Sequence, residues 1–305
     1  MSRSSHNRLK ATAYLLLNTL CWGASFVIVA PAFTHTTPFQ FLFYRFALAS
    51  ILMSPVLWLY LRQRKYRQHI WPIIGIELLG TVVYLSLLYE GLSRSTSIET
   101  SLLATTTPLF IILASVLFIH EKQTKKEWLG LGISVLGVLF IASLPLLNGA
   151  VGLHGVSLGG NALILLANTV GALYAILIKT RYKNVPHFLA PTISFFLGAV
   201  VFGFLSLLQL QFSLPALTSA IQLDWQQPTV VFASLYMAIF GSIIGLTAYI
   251  KGQELIEASE ASLFYYLQPL VYLPLGVIVL NEAISPYQII GLIFILIGVG
   301  VSESR

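Results

Sequence analysis

Charge is scarce in this chain. Only 9% of its 305 residues are Asp, Glu, Lys or Arg, while 57% are hydrophobic. Water-soluble domains carry about a quarter charged residues, so this low share and a mean hydropathy of +0.84 exclude an ordinary soluble globule. The single cysteine, Cys21, excludes an intrachain disulfide, and no Cys/His cluster offers a structural metal site. Aspartate is nearly absent, Asp224 being the only one. The histidines (His6, His35, His69, His120, His154 and His187) fall in or beside loops. A membrane-embedded enzyme needs a converging set such as paired acids with metal ligands or a serine with a histidine. None is legible, so no catalytic residue, metal or cofactor is expected. The net charge of +6 is spread in short clusters between apolar runs, which suits membrane topology rather than nucleic acid.

What the chain does have is long apolar runs. At about 20 residues per span, they predict ten helices, at roughly 11–33, 38–61, 70–91, 97–118, 127–144, 159–180, 186–210, 229–251, 259–280 and 286–302. The first run is longer than the core of a signal peptide, about 7–15 residues, and is expected to be a retained helix. A barrel would show short alternating segments instead. With the N-terminus in the cytoplasm, fifteen of the seventeen Lys and Arg residues fall on inside segments; Arg94 is outside and Arg45 lies within a span. That asymmetry predicts cytoplasmic termini. The longest non-membrane stretch, 211–228, is expected outside, as a connector or a lid.

A shift of 161 positions lays the second half on the first. Gly80 falls on Gly241, Gly91 on Gly252, Glu99 on Glu260, Ser101 on Ser262 and Pro108 on Pro269. Glu121 falls on Glu282, Gly130 on Gly291, Leu131 on Leu292 and Gly137 on Gly298. The chain therefore reads as two repeats, residues 1–148 and 149–305. Each holds an odd number of helices, so the second enters the bilayer inverted, the geometry of an alternating-access transporter.

Polar residues at helical spacing mark the faces turned to protein or water. Tyr14, Asn18, Trp22 and Ser25 share one face of helix 1. Glu77, Thr81 and Tyr84 share one of helix 3, Asn161 and Asn168 one of helix 6, and Tyr265, Gln268 and Tyr272 one of helix 9. For a single Ser, Thr or Asn, interhelical hydrogen bonding accounts for the spacing; together with the aromatics, the faces fit a pocket. Helices 5 and 10 instead carry Gly130, Ser134, Gly137, Gly291 and Gly298, which suits close packing. Pro108 and Pro269, read as mid-helix, mark static kinks or hinges.

Two charges sit deep inside predicted spans, away from their ends. Arg45 and Glu77 lie roughly 14 Å apart in depth, too far for an ion pair. Arg45 either pairs with Glu90 or faces the cavity to receive an anionic group. Glu77 is either a structural acid that stays protonated or a proton carrier that couples transport to the gradient. Glu99 and Glu260 in first turns, and Glu121 and Glu282 at span ends, suit helix dipoles and caps.

The runs Cys21-Trp22-Gly23-Ala24-Ser25-Phe26, Tyr44-Arg45-Phe46-Ala47-Leu48-Ala49 and Leu103 through Pro108 resemble the EamA-type repeat of the drug/metabolite transporter superfamily. So do Ala258 through Ser262 to Pro269, Asn281-Glu282-Ala283 and Gly291 to Gly298. The resemblance implies an all-α membrane protein of ten helices in two inverted five-helix halves, in the bacterial inner membrane. Helices 1–4 and 6–9 would line a central cavity. Gly171 and Ala172 stand where Trp22 and Gly23 stand in the first copy, which predicts a cavity with its aromatic wall on the helix 1 side.

The expected function is secondary transport of a small, amino-acid-like or amphipathic metabolite, outward, by a monomer or weak homodimer. Asn18, Trp22, Ser25, Arg45, Glu77, Thr81, Tyr84, Thr107, Asn168, Tyr265, Gln268 and Tyr272 are the expected cavity residues, with Tyr266 as a further aromatic. A multidrug or cationic-compound efflux protein is the alternative, with a membrane enzyme or a channel as readings from other classes.

Overall fold

The computed structural model describes residues 3–120, 124–144, 157–182, 185–256, 261 and 263–303. Glu121, Lys122, Lys183, Glu260, Ser262 and Arg305, and the side chains of Arg3 and Tyr266, lie outside this description. All regular structure among the described residues is helical.

Among the described residues ten apolar helices follow one another: α1 (Asn7–Thr34), α2 (Pro38–Arg62), α3 (Arg64–Leu92), α4 (Ser97–Ile119), α5 (Lys125–Ser143), α6 (Leu158–Arg181), α7 (Leu189–Gln209), α8 (Pro228–Leu255), α9 (Pro269–Leu280) and α10 (Pro286–Glu303). Seven of them, all but α5, α9 and α10, are long and apolar enough to cross a membrane. Outward-facing Trp71, Val200, Leu270 and Ile278 are each at least 70% exposed, as hydrocarbon-facing side chains are.

Local chemistry sets the helix starts. Thr37 and Gln40 form a reciprocal capping box ahead of α2, with Pro38 in the first turn, where its missing N–H costs nothing. Thr96 caps α4 and Ser157 caps α6. The α4 start has a second anchor: the Glu282 carboxyl accepts from Ser97 N (3.1 Å), Ser97 Oγ (2.8 Å) and Ile98 N (2.9 Å). Two otherwise orphaned backbone donors are thereby satisfied from 185 residues away. Glu282→Ala is expected to cost about 1–2 kcal/mol, read as a lower melting temperature in detergent. Glu90→Ala, which removes only the exposed Glu90–Arg94 pair, should barely move it; equal losses would refute the anchoring role.

The packing has a two-fold pattern. α1 runs along α8 as α6 runs along α3, α2 lies against α7, α5 lies against α10, and α4 packs on α6 as α9 packs on α1. The α5–α10 contact is close enough for backbones to touch. A methyl on Gly137 would come within 2.7 Å of Gly291 O, and Ser134 Oγ donates to Ile295 O at 3.2 Å. The small residues there do pack, and α5 and α10 stand apart from the cavity.

Irregularities recur at the 161-residue offset. α3 is π-helical over Leu78–Val83 and α8 over Met237–Ile244, around Gly80 and Gly241. His120 and Asn281, also 161 apart, both end their helices in the left-handed conformation, at φ 55° and 53°. π-Segments misalign backbone carbonyls, and in α8 two are taken up by α1: Trp22 Nε1 donates to Gly241 O at 2.9 Å and Asn18 Nδ2 to Gly245 O at 3.0 Å.

Three expectations are corrected. Pro269 is not mid-helix: it sits in the first turn of α9, after the short 3-10 helix Leu263–Leu267, whereas Pro108 lies mid-way along α4 just after a break at Thr105–Thr106. A ring with no N–H starts a helix more readily than it interrupts one. The stretch 211–228 is no bare connector, because it forms the helix Leu214–Asp224. Its last residue, Asp224, is buried and accepts from Thr36 Oγ1 (2.6 Å) and Tyr44 OH (2.7 Å). Glu99 does more than meet a helix dipole: its carboxyl accepts from Asn161 Nδ2 (2.9 Å) and Gln288 Nε2 (2.7 Å), tying α4 to α6 and α10.

Candidate functional site

The helix breaks and π-segments surround a two-lobed cavity whose lobes share Trp22, Arg45, Tyr84, Leu85, Thr107 and Tyr265. One lobe adds Phe46, Thr81, Tyr174, Ser194 and Tyr249; the other adds Ser25, Tyr89, Met237 and Gln268. Of the residues expected in the cavity, Trp22, Ser25, Arg45, Thr81, Tyr84, Thr107, Tyr265 and Gln268 are brought together. Asn18, Glu77, Asn168 and Tyr272 do not line either lobe. Asn18 is spent on the α8 carbonyl, and Asn168 donates to Leu103 O and Thr106 Oγ1, both at 2.8 Å, bridging the α4 break. Tyr272 is fully buried in the apolar core.

Aromatic rings surround the cavity. Trp22 lies 5.4 Å from Tyr249 and 6.1 Å from Tyr265, ring centre to ring centre, and Tyr249 and Tyr265 are 6.1 Å apart. The wall is therefore not confined to the α1 side: Tyr249 comes from α8, Tyr265 precedes α9, and Tyr174 stands on α6. Gly171 leaves room that Tyr84 fills from α3, since a methyl there would meet the Tyr84 ring at 3.0 Å.

The two charges within the spans are each held by a hydroxyl at a repeat-equivalent position. Arg45 Nε donates to Ser242 Oγ (2.7 Å) and Nη1 to Tyr89 OH (2.8 Å). It does not pair with Glu90, whose carboxyl is taken by Arg94 one turn away at 2.9 Å. Glu77 is fully buried behind the wall. Its carboxyl accepts from Thr81 Oγ1 (2.8 Å), Tyr182 OH (2.7 Å) and Tyr174 OH (3.0 Å). Thr81 in turn contacts Ser194 Oγ at 2.6 Å, and both line the cavity. A chain of hydroxyls thus runs from the cavity through Thr81 to Glu77 and on to Tyr182. Hydroxyls both donate and accept, so this cage can satisfy Glu77 with or without its proton.

Sequence reasoning missed Phe46, Tyr89, Tyr174, Ser194, Ser242 and Tyr249. Ser242 was within reach, because Thr81 plus 161 is Ser242. The others sit on helices whose neighbours a single sequence does not reveal.

The EamA-like transporter family matches twice, over residues 9–143 and 158–302. The chain belongs to that family. The uncharacterized transporter YcxC of Bacillus subtilis (strain 168) is 25% identical over 297 residues, covering 96% of this chain and 93% of its own. Protein PecM of Dickeya dadantii (strain 3937) is 25% identical over 281 residues, with 90% and 86% covered. A solved crystal structure shares the fold, with a TM-score of 0.67 at 17% identity over 96% of both chains. This EamA family member is a multi-pass membrane protein, and in bacteria such chains sit in the inner membrane. The family and the relatives' names point to transport rather than catalysis.

Proposed function

We propose that this chain is a secondary transporter that exports a small metabolite by alternating access, with the aromatic cavity around Arg45 as its substrate site. The observation that carries this reading is that both halves build the cavity. Trp22, Arg45, Tyr84 and Thr107 come from the first half, and Tyr174, Ser194, Tyr249 and Tyr265 from the second. In this reading α1–α5 and α6–α10 are inverted five-helix repeats, residues 1–148 and 149–305, all ten helices span, and both termini face the cytoplasm. The two-fold packing and the matched π-segments support it. Two mirror-related packings of similar energy let a bound solute shift the balance between inward-open and outward-open states. Glu77, joined to the cavity by hydroxyls, is the proton carrier in this scheme.

Counterflow in proteoliposomes, against a panel of amino acids, organic acids, nucleobases and cationic drugs, tests the proposal. Saturable uptake accelerated by substrate on the far side is expected; linear conduction without counterflow would make the chain a channel. Tags at the N-terminus and near Lys183 should label from the same side, and labelling from opposite sides would remove the inverted repeat.

A further inference from the structure

Arg45 borders both lobes of the cavity, yet only 6% of its surface is exposed. A guanidinium has five N–H donors and stays charged throughout the physiological range. Two of the donors reach Ser242 and Tyr89, which leaves three without a partner among the described residues. No carboxylate of a described residue answers the charge. Between described residues the ion pairs are Glu90–Arg94 and His187–Glu254, and Glu77 is engaged by its own hydroxyl cage. Neither lobe is lined by Asp, Glu, Lys or His, so Arg45 is the only charged side chain at the cavity among the described residues.

A buried charge left without compensation is unfavourable, and an anion entering the cavity removes that penalty. Packing against Phe46 and Tyr89, with the Arg45 Cζ 5.0 and 5.9 Å from their ring centres, holds the guanidinium in place. Tyr84 and Gln268, on the same walls, make no side-chain hydrogen bond among the described residues and are available to the ligand. One guanidinium matches one negative charge; a phosphate dianion would bring a second charge with no partner. An ammonium group would find aromatic faces but also Arg45 in a poorly screened setting.

We infer that the cavity selects a monocarboxylate carried on a planar, apolar body, its carboxylate against Arg45 and its ring among Trp22, Tyr249 and Tyr265. The inference rests on the cavity being the substrate site.

Three indoles of similar shape and different charge provide the test: indole-3-propionate, tryptophan and tryptamine, titrated calorimetrically into the purified protein. Indole-3-propionate should bind tightest. Arg45→Gln should weaken it by about thirtyfold or more, the change expected for losing one buried, hydrogen-bonded charge partner, and should level the three affinities. Arg45→Lys keeps the charge and should keep the ranking at lower affinity. If Arg45→Gln fails to fold, the wild-type ranking and Arg45→Lys decide. Tryptamine or tryptophan binding as tightly as indole-3-propionate, or no binding of indole-3-propionate, overturns the inference. Counterflow of either of the other two indoles would then leave the transporter reading standing. Binding of indole-3-propionate without counterflow of any solute would retain the anion site and remove transport.

Discussion

Gly80→Ala should be among the most damaging single-methyl changes available in this chain. A methyl there would sit inside the van der Waals surface of the Tyr174 ring, closer than real side chains pack. Tyr174 cannot swing away freely, because its hydroxyl is bonded to Glu77 and the ring lines the cavity. Overpacking of this kind costs about 1–3 kcal/mol, and a rigid ring places Gly80 at the upper end. The expected result is a fall in apparent melting temperature of about 5 °C or more, with loss of transport. Two controls separate the cause from a general glycine effect. Gly132→Ala, with nothing within 4 Å, should be neutral or mildly stabilising. Gly241→Ala, the repeat mate, meets the flexible end of Met237 at 2.5 Å and should be milder. If all three variants behave alike, the close α3–α6 approach is not what Gly80 serves.

Glu77 gives the second large effect, and its two substitutions separate structure from coupling. Glu77→Ala deletes the common acceptor of Thr81, Tyr174 and Tyr182 in a fully buried site. Leaving buried hydroxyls unpaired costs about 1–3 kcal/mol each, so a loss of about 3 kcal/mol or more is expected and expression should drop. Glu77→Gln preserves shape and can still accept a hydroxyl, so the fold should survive. What glutamine cannot do is exchange a proton. Transport by the wild type should vary with the proton gradient in reconstituted vesicles, and transport by Glu77→Gln should be flat. Unchanged pH dependence in that variant would remove Glu77 from coupling and leave it a structural acid.

Much of the helical framework was legible because hydrocarbon tolerates little else. Continuous apolar runs must satisfy their own backbone, so length and composition place most of the helices to within a few residues, the exception being the run 259–280, whose α-helix starts only at Pro269. The repeat offset pairs Gly80 with Gly241, and both lie in π-segments of cavity-lining helices. Small residues at helical spacing located the α5–α10 contact. Polar spacing was a weaker guide to the cavity. Asn18 and Asn168 lie on the stripes that also carry cavity residues, yet both are consumed by backbone carbonyls that helix irregularities leave over. Periodicity shows which way a side chain leaves its own helix; it carries no information about what stands opposite.

The amino-acid order alone therefore determined a helical membrane chain, its internal duplication and the presence of two charges within the spans, since each follows from local composition or spacing. The partners of those charges were decided by tertiary structure. Ser242 lies 197 positions from Arg45, and Tyr182 lies 105 from Glu77. Hydrogen bonds act over about 3 Å in space whatever the separation along the chain. Only the packing of α2 on α8 and of α3 on α6 left one charge caged in hydroxyls and the other open to the cavity.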